Sequence, residues 1–208
     1  MFTDRTDAGR RLADLLEERG VEADIVLAIP RGGLPVGHAV AERLGVPLDI
    51  VSARKLGSPA NPELAIGSVA SDGSVWLNES LIAQLDVADS YIDAEIEREH
   101  EAARRKVERY RGTRPPLDVG GKTVLVVDDG VATGATTIAC IRQVQDADAE
   151  RVVLAVPVAP PDTVERLRDE ADEVICVETP PYFGAVGQFY DSFGQVSDDE
   201  ARSYLTEE

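Results

Sequence analysis

Residues 124–137 read ValLeuValValAspAspGlyValAlaThrGlyAlaThrThr. Four consecutive apolar residues mark a strand buried on both faces. The run ends in Asp128 and Asp129, and a loop holding Gly130, Thr133 and Gly134 then opens an amphipathic helix pattern over 134–146. A strand that turns through glycines and threonines into a helix start gathers backbone N–H groups and hydroxyls at one spot, which is the chemistry of a monophosphate cradle. Two carboxylates just upstream stand about one sugar away from that phosphate and can accept hydrogen bonds from vicinal hydroxyls. A helix cap alone asks for one such residue, so the ordered series of aspartates, glycines and threonines exceeds capping.

Outward from this stretch the chain alternates between apolar runs and amphipathic patterns. Ala8, Leu12, Leu15 and Leu16 predict a helix over 4–19, stopped by Gly20. Strands are predicted at 25–29, 47–53, 122–128, 151–157 and 173–177, with helices at 34–44, 134–146 and 161–171 between them. A loop at 57–62, a hairpin of 67–70 with 74–77 turning on Asp72 and Gly73, and a charged helix from Asp89 to Arg111 separate the two halves. Short apolar strands alternating with helices predict an α/β fold, an open and mostly parallel twisted sheet flanked by helices. The best internal joint is 112–116, too weak to divide the chain, so a single domain over 1–208 is expected.

Composition narrows the function classes. The chain has 208 residues and a formal net charge of −18, and only Lys55, Lys106 and Lys122 are lysines. A protein that binds nucleic acid or anionic membrane by neutralising phosphate needs a basic face, which this balance does not supply. The acidic excess is spread along the chain and suggests a surface adapted to high salt, hence a halophilic source, the alternative being an ordinary acidic cytosolic protein kept soluble by its charge. The start of the chain carries no basic-then-apolar leader and no run reaches the ~18 apolar residues of a membrane span, so a cytoplasmic location is expected. Cys140 and Cys176 lie in apolar contexts without close-spaced partners and read as buried, inert thiols. His38 reads as structural, His100 as solvated, and Arg104, Arg105 and Lys106 as the basic end of a solvated helix.

No GxxxxGK[ST] and no GxGxxG following a strand occurs, which argues against a P-loop or a dinucleotide site. Instead, the hydrophobic strand, AspAsp and ThrGlyAlaThr of 124–137 resemble the 5-phosphoribosyl 1-diphosphate (PRPP) signature of type I phosphoribosyltransferases. AlaIleProArgGlyGly at 28–33 is similar to that family's pyrophosphate loop, and Arg54 with Lys55 to its basic position facing pyrophosphate. The whole chain, through ThrProProTyrPheGlyAlaValGly to ValSerAspAspGlu, resembles stand-alone prokaryotic members of unassigned acceptor.

The resemblance implies that Asp128 and Asp129 hold the ribose hydroxyls and that Thr133, Gly134, Ala135, Thr136 and Thr137 wrap the 5-phosphate. It implies that Arg31, Gly32, Gly33 and Lys55 take the pyrophosphate, with a cis peptide between Pro30 and Arg31. Asp128, Asp129, Arg31 and Lys55 would then be the catalytic set, with Mg²⁺ bound mainly through substrate and also at Asp128 and Asp129. Residues 56–66 occupy the place of the mobile loop, without the lysine that some members carry there. A homodimer is also implied. Half of the ten aromatic residues fall in 182–193, in the hood that the family places over its acceptor base, here mainly 178–208. Tyr182, Phe183 and Phe189 are the candidate base-stacking residues, or else anchors of the C-terminal segment. Val186 and Gly187 followed by Asp191 resemble the hood of purine-type members, favouring a purine acceptor. The competing reading is a PRPP-binding regulator without catalysis.

Overall fold

The computed structural model describes residues 1–206. Five strands form a wholly parallel sheet: β1 (Ile25–Ala28), β2 (Leu48–Ile50), β6 (Thr123–Val127), β7 (Arg151–Val158) and β8 (Glu173–Glu178), in the order β2-β1-β6-β7-β8. Their buried faces are mostly apolar because helices cover both, the exception being Asp49 of β2, whose carboxylate is held by Arg111 at 3.0 Å. Ile25, Leu27, Val124, Val126 and Leu154 pack on one side with Ile138, Ile141 and Val144 of α5 (Ala135–Asp146) and Val164 and Leu167 of α6 (Pro161–Leu167). Val26, Leu125, Val127 and Val153 pack on the other with Leu12 and Leu16 of α1 (Arg5–Glu18) and Val36 and Val40 of α2 (Gly33–Leu44). Asp4 caps α1 by accepting from Asp7 N at 2.8 Å.

The predicted strand 47–53 is two strands. After Ile50 the chain leaves the parallel sheet, and β3 (Ala53–Gly57) joins β4 (Ala65–Ala70) and β5 (Val75–Leu77) in a small antiparallel sheet. The break falls where Val51 N still donates to Ala28 O while Ser52 O already accepts from Ser71 N, so consecutive residues serve different sheets. Apolar patterning cannot distinguish the two partners. The predicted mobile segment 56–66 is correspondingly shorter, with strands claiming both its ends and residues 58–64 left between them. A short helix, α3 (Glu79–Leu85), follows, then α4 (Asp89–Arg111). The small sheet lies against α4 through Arg54 and Glu99 at 2.9 Å, and against α5 through Ser68 Oγ, which donates to Ala135 O at 2.6 Å.

From β1 the chain moves to β2 on one side, and from β6 to β7 on the other. The carboxyl ends of β1 and β6 therefore flank the crevice where connections diverge, the place an open α/β sheet offers a ligand. The closing segment, with a 3₁₀ turn at Val186–Phe189 and α7 (Asp198–Thr206), returns over this end. Among the described residues, no helix is long and apolar enough to cross a membrane.

Candidate active site

Both unusual loops of the sequence sit at that crevice and touch. Ile29 N donates to Val127 O at 2.8 Å, drawing the loop after β1 onto the end of β6. The approach is so close that a Cβ on Gly33 would stand 2.8 Å from Val127 O, and one on Gly32 would stand 2.0 Å from Asp129 Oδ2. The peptide between Pro30 and Arg31 is cis, as expected. Gly32 then caps α2 without any side-chain hydrogen bond. On the β6 side Gly134, at φ 79°, caps α5, again with no side chain bonded to the helix end. Two helix starts thus face one crevice, where the helix dipoles favour anions; at α2 the Gly33 and Leu34 N–H groups turn back into the loop, donating to Ile29 O and Arg31 O. The α5 loop is held from behind, since Val131 N donates to Val158 O, Thr163 Oγ1 donates to Ala132 O, and Arg166 donates to Thr133 O.

The acid pair lies between the two loops. Asp128 Oδ1 accepts from Asp129 N at 2.8 Å. Burial, then the neighbouring Asp129 charge, pushes the Asp128 carboxyl well above its ordinary range. Asp129 is also pushed up by burial, but the guanidinium of Arg5, at 2.7 Å from Oδ2, opposes the shift. The pair therefore divides, with Asp128 as the better proton holder and Asp129 as the ion-paired carboxylate.

Arg31 donates to Asp198 of α7 at 3.4 Å, and Asp198 also accepts from Tyr110 Oη at 2.6 Å and from Arg109 at 3.1 Å. Lys55 lies on β3 and pairs with Glu63 at 2.7 Å, with 42% of its side chain exposed. The basic group that reaches the loop after β1 is Lys106, whose Nζ donates to Pro30 O at 2.6 Å. Desolvation, with Arg54 nearby, lowers its pKa. Reading 104–106 as solvated thus fails at Lys106, because that side chain lies on the inner edge of α4. One basic residue among ArgArgLys gives no signal of facing inward. His100 is likewise half-buried, with Nε2 3.2 Å from Ser71 O at the hairpin. Cys140 is buried and Cys176 half-buried, with its thiol pushed up to about 11 by burial, so neither is a ready nucleophile at neutral pH.

The aromatic segment divides in two. Tyr190 is buried against Phe2, with centroids 5.3 Å apart, and its hydroxyl donates to Asp129 O at 2.5 Å. Phe193 packs on Tyr190, so these two rings are anchors. Phe183 and Phe189 pair at 5.1 Å and are half-buried, while Tyr182 is 90% exposed. Val186 rests on the turn after the acid pair so closely that a Cβ on Gly130, at φ 156°, would lie 2.6 Å from it.

Residues 4–193 match the family model described as phosphoribosyl transferase domain. The chain belongs to that family. This phosphoribosyl transferase chain is 43% identical over 205 residues to a Mycobacterium tuberculosis protein named "putative phosphoribosyl transferase", covering 99% of the chain and 46% of that protein. It therefore spans about half the length of that relative. A crystal structure of a Thermus thermophilus protein is 44% identical, with a TM-score of 0.84, covering 98% of this chain and 97% of the other. An Aquifex aeolicus structure at 13% identity and TM-score 0.54 shares the fold, covering 97% of this chain and 86% of its own.

Proposed function

We propose that the chain transfers the 5-phosphoribosyl group of PRPP to an acceptor, a nucleobase with purine preferred, and releases pyrophosphate. The observation that carries this reading is the convergence of two uncapped helix starts on one acid pair at the divergence point of the sheet. PRPP has a phosphate, a diol and a pyrophosphate in that order, and the crevice offers an anion cradle at 133–137, carboxylates at 128–129 and a second cradle at 31–33. In the reaction the bond from ribose C1 to the pyrophosphate oxygen breaks, the acceptor nitrogen forms the new bond to C1, and its proton leaves to solvent or to pyrophosphate. Positioning and electrostatics supply the rate. Asp128 and Asp129 hold the diol, the loop of Arg31, Gly32 and Gly33 at the positive end of α2 receives the leaving group, and Arg31 adds charge after leaving Asp198. Lys106 supports the backbone of that loop.

Among the described residues no group of three or more His, Cys, Asp or Glu could form a metal cage. Asp129 is engaged by Arg5, whereas Asp128 retains an oxygen for a hard cation, so the donors fit a Mg²⁺ held mostly by substrate oxygens. Such an ion supplies neutralisation of the departing pyrophosphate.

Calorimetry with PRPP and Mg²⁺, followed by pyrophosphate release with each nucleobase, tests the proposal. Binding with base-dependent release is expected; binding without release from any base supports the regulator, and no binding overturns both. Phe183, Phe189 and Tyr182 are proposed to stack the base. Alanine at Phe183 or Phe189 is expected to raise the KM for the base by roughly 1–3 kcal/mol equivalent, with PRPP affinity nearly unchanged. Unchanged base kinetics with alanine at Phe183, Phe189 and Tyr182 would make these rings anchors like Tyr190.

The reading includes a homodimer in a halophile's cytoplasm. With a net charge of −18, screening is expected to raise the melting temperature from dilute buffer toward about 1 M KCl. A flat or falling trend in a thermal melt series rejects salt adaptation.

A further inference from the structure

We propose that Arg5 is a positioning residue that claims one oxygen of Asp129, so that the acid pair receives the ribose diol and does not collect a divalent cation by itself. The inference rests on the reading of 128–129 as the ribose end of a PRPP site. Arg5 opens α1, yet its Nε donates to Asp129 Oδ2 at 2.7 Å, and the two side chains are only 12% and 14% exposed. Its Nη1 donates to Gly194 O at 2.7 Å, and its guanidinium carbon lies 3.9 Å from the centre of the Phe193 ring. A fork with one edge on a carboxylate, another on a carbonyl and a face on an aromatic ring is a task for arginine and not for lysine.

The surroundings leave Asp129 one arrangement. Its Oδ2 is bounded by Arg5 on one side and by the backbone of Gly32 on the other, and its carbonyl accepts from Tyr190. The N-terminal residues hold Arg5 in place through Phe2 N donating to Phe189 O at 2.7 Å and Asp191 N donating to Phe2 O at 2.8 Å. Two adjacent carboxylates without a fixed countercharge are hard oxygen donors suited to a divalent cation. With the guanidinium bound, one of them is already neutralised, and the cation enters with the pyrophosphate-bearing substrate. The same contact couples the 190–194 segment to the diol site, since Phe193 and Gly194 share the guanidinium with Asp129.

The test measures Mn²⁺ binding by electron paramagnetic resonance without PRPP, in high KCl to suppress diffuse binding to the acidic surface. The wild-type chain is expected to show no saturable site at the acid pair. Arg5→Ala should gain one site, at least about tenfold tighter than the background, because a full countercharge has been removed from beside the carboxylate. Arg5→Ala combined with Asp129→Asn should lose that site, and Arg5→Lys, which keeps the charge, should not create it. Arg5→Met keeps the stem against Phe193 and replaces Arg5→Ala if the latter does not fold. Mn²⁺ binding in folded Arg5→Ala or Arg5→Met equal to wild type, or a tight wild-type site abolished by Asp129→Asn, overturns the inference. PRPP binding by the wild-type chain is a separate measurement, so the two readings fail separately.

Discussion

Asp128→Asn is expected to lower turnover roughly ten- to hundredfold and to raise the melting temperature, whereas Asp129→Asn should lower both. On the proposed function, each substitution would remove a charge-assisted hydrogen bond to the diol, worth on the order of 1.5–3 kcal/mol. Their effects on stability differ because their partners differ. Asp128 has its pKa raised by burial and by Asp129, so the folded chain holds its proton more tightly than the unfolded chain does. Stability therefore falls as pH rises from the ordinary carboxylate value of 3.8 through the raised folded value, and an asparagine, which never ionises, escapes that loss. The gain from Asp128→Asn should vanish below the ordinary value and grow toward neutral pH. Asp129, by contrast, is the partner of a nearly buried arginine, and its removal leaves that guanidinium facing a neutral amide. Thermal melts from pH 4 to 8 with steady-state kinetics check both halves. Equal melting temperatures for the two variants, or unchanged kinetics, count against the division of the pair.

Gly33→Ala is expected to remove measurable PRPP binding and to cost roughly 1–3 kcal/mol of stability by overpacking. The new methyl would meet Val127 O at 2.8 Å and Asp128 Cα at 3.0 Å, both backbone atoms of the β6 end. That backbone cannot retreat, because Val127 O accepts from Ile29 N and β6 is paired on both sides. The loop after β1 must then move off β6, which separates residues 31–33 from the acid pair. Chemical denaturation gives the stability change and calorimetry the affinity; a variant that binds PRPP like wild type would falsify the shared crevice.

The parallel core was readable because most of its strands are short apolar runs between helix patterns, as burial on both faces favours. The 124–137 and 28–33 loops were readable because glycine, threonine and aspartate occur there in an order that capping and turns do not require. The split at residues 51–52 was not, since a strand pairing with β1 and one pairing with β4 carry the same local pattern. Nor was the arrival of Lys106 at the loop after β1. Lys55 follows a strand and adjoins the expected position, but β3 turns it toward Glu63, while the packing of α4 brings Lys106 to Pro30 O.

The sequence by itself determined the layered α/β arrangement and the two loops that make the crevice, because both depend on residues close together in the chain. Only the tertiary structure decided which side chains complete the crevice. Arg5 reaches Asp129 across 124 residues, Lys106 reaches Pro30 across 76, and Arg31 reaches Asp198 across 167. Such contacts follow from how helices and strands stack, and an exposed arginine and a buried one have the same neighbours in sequence.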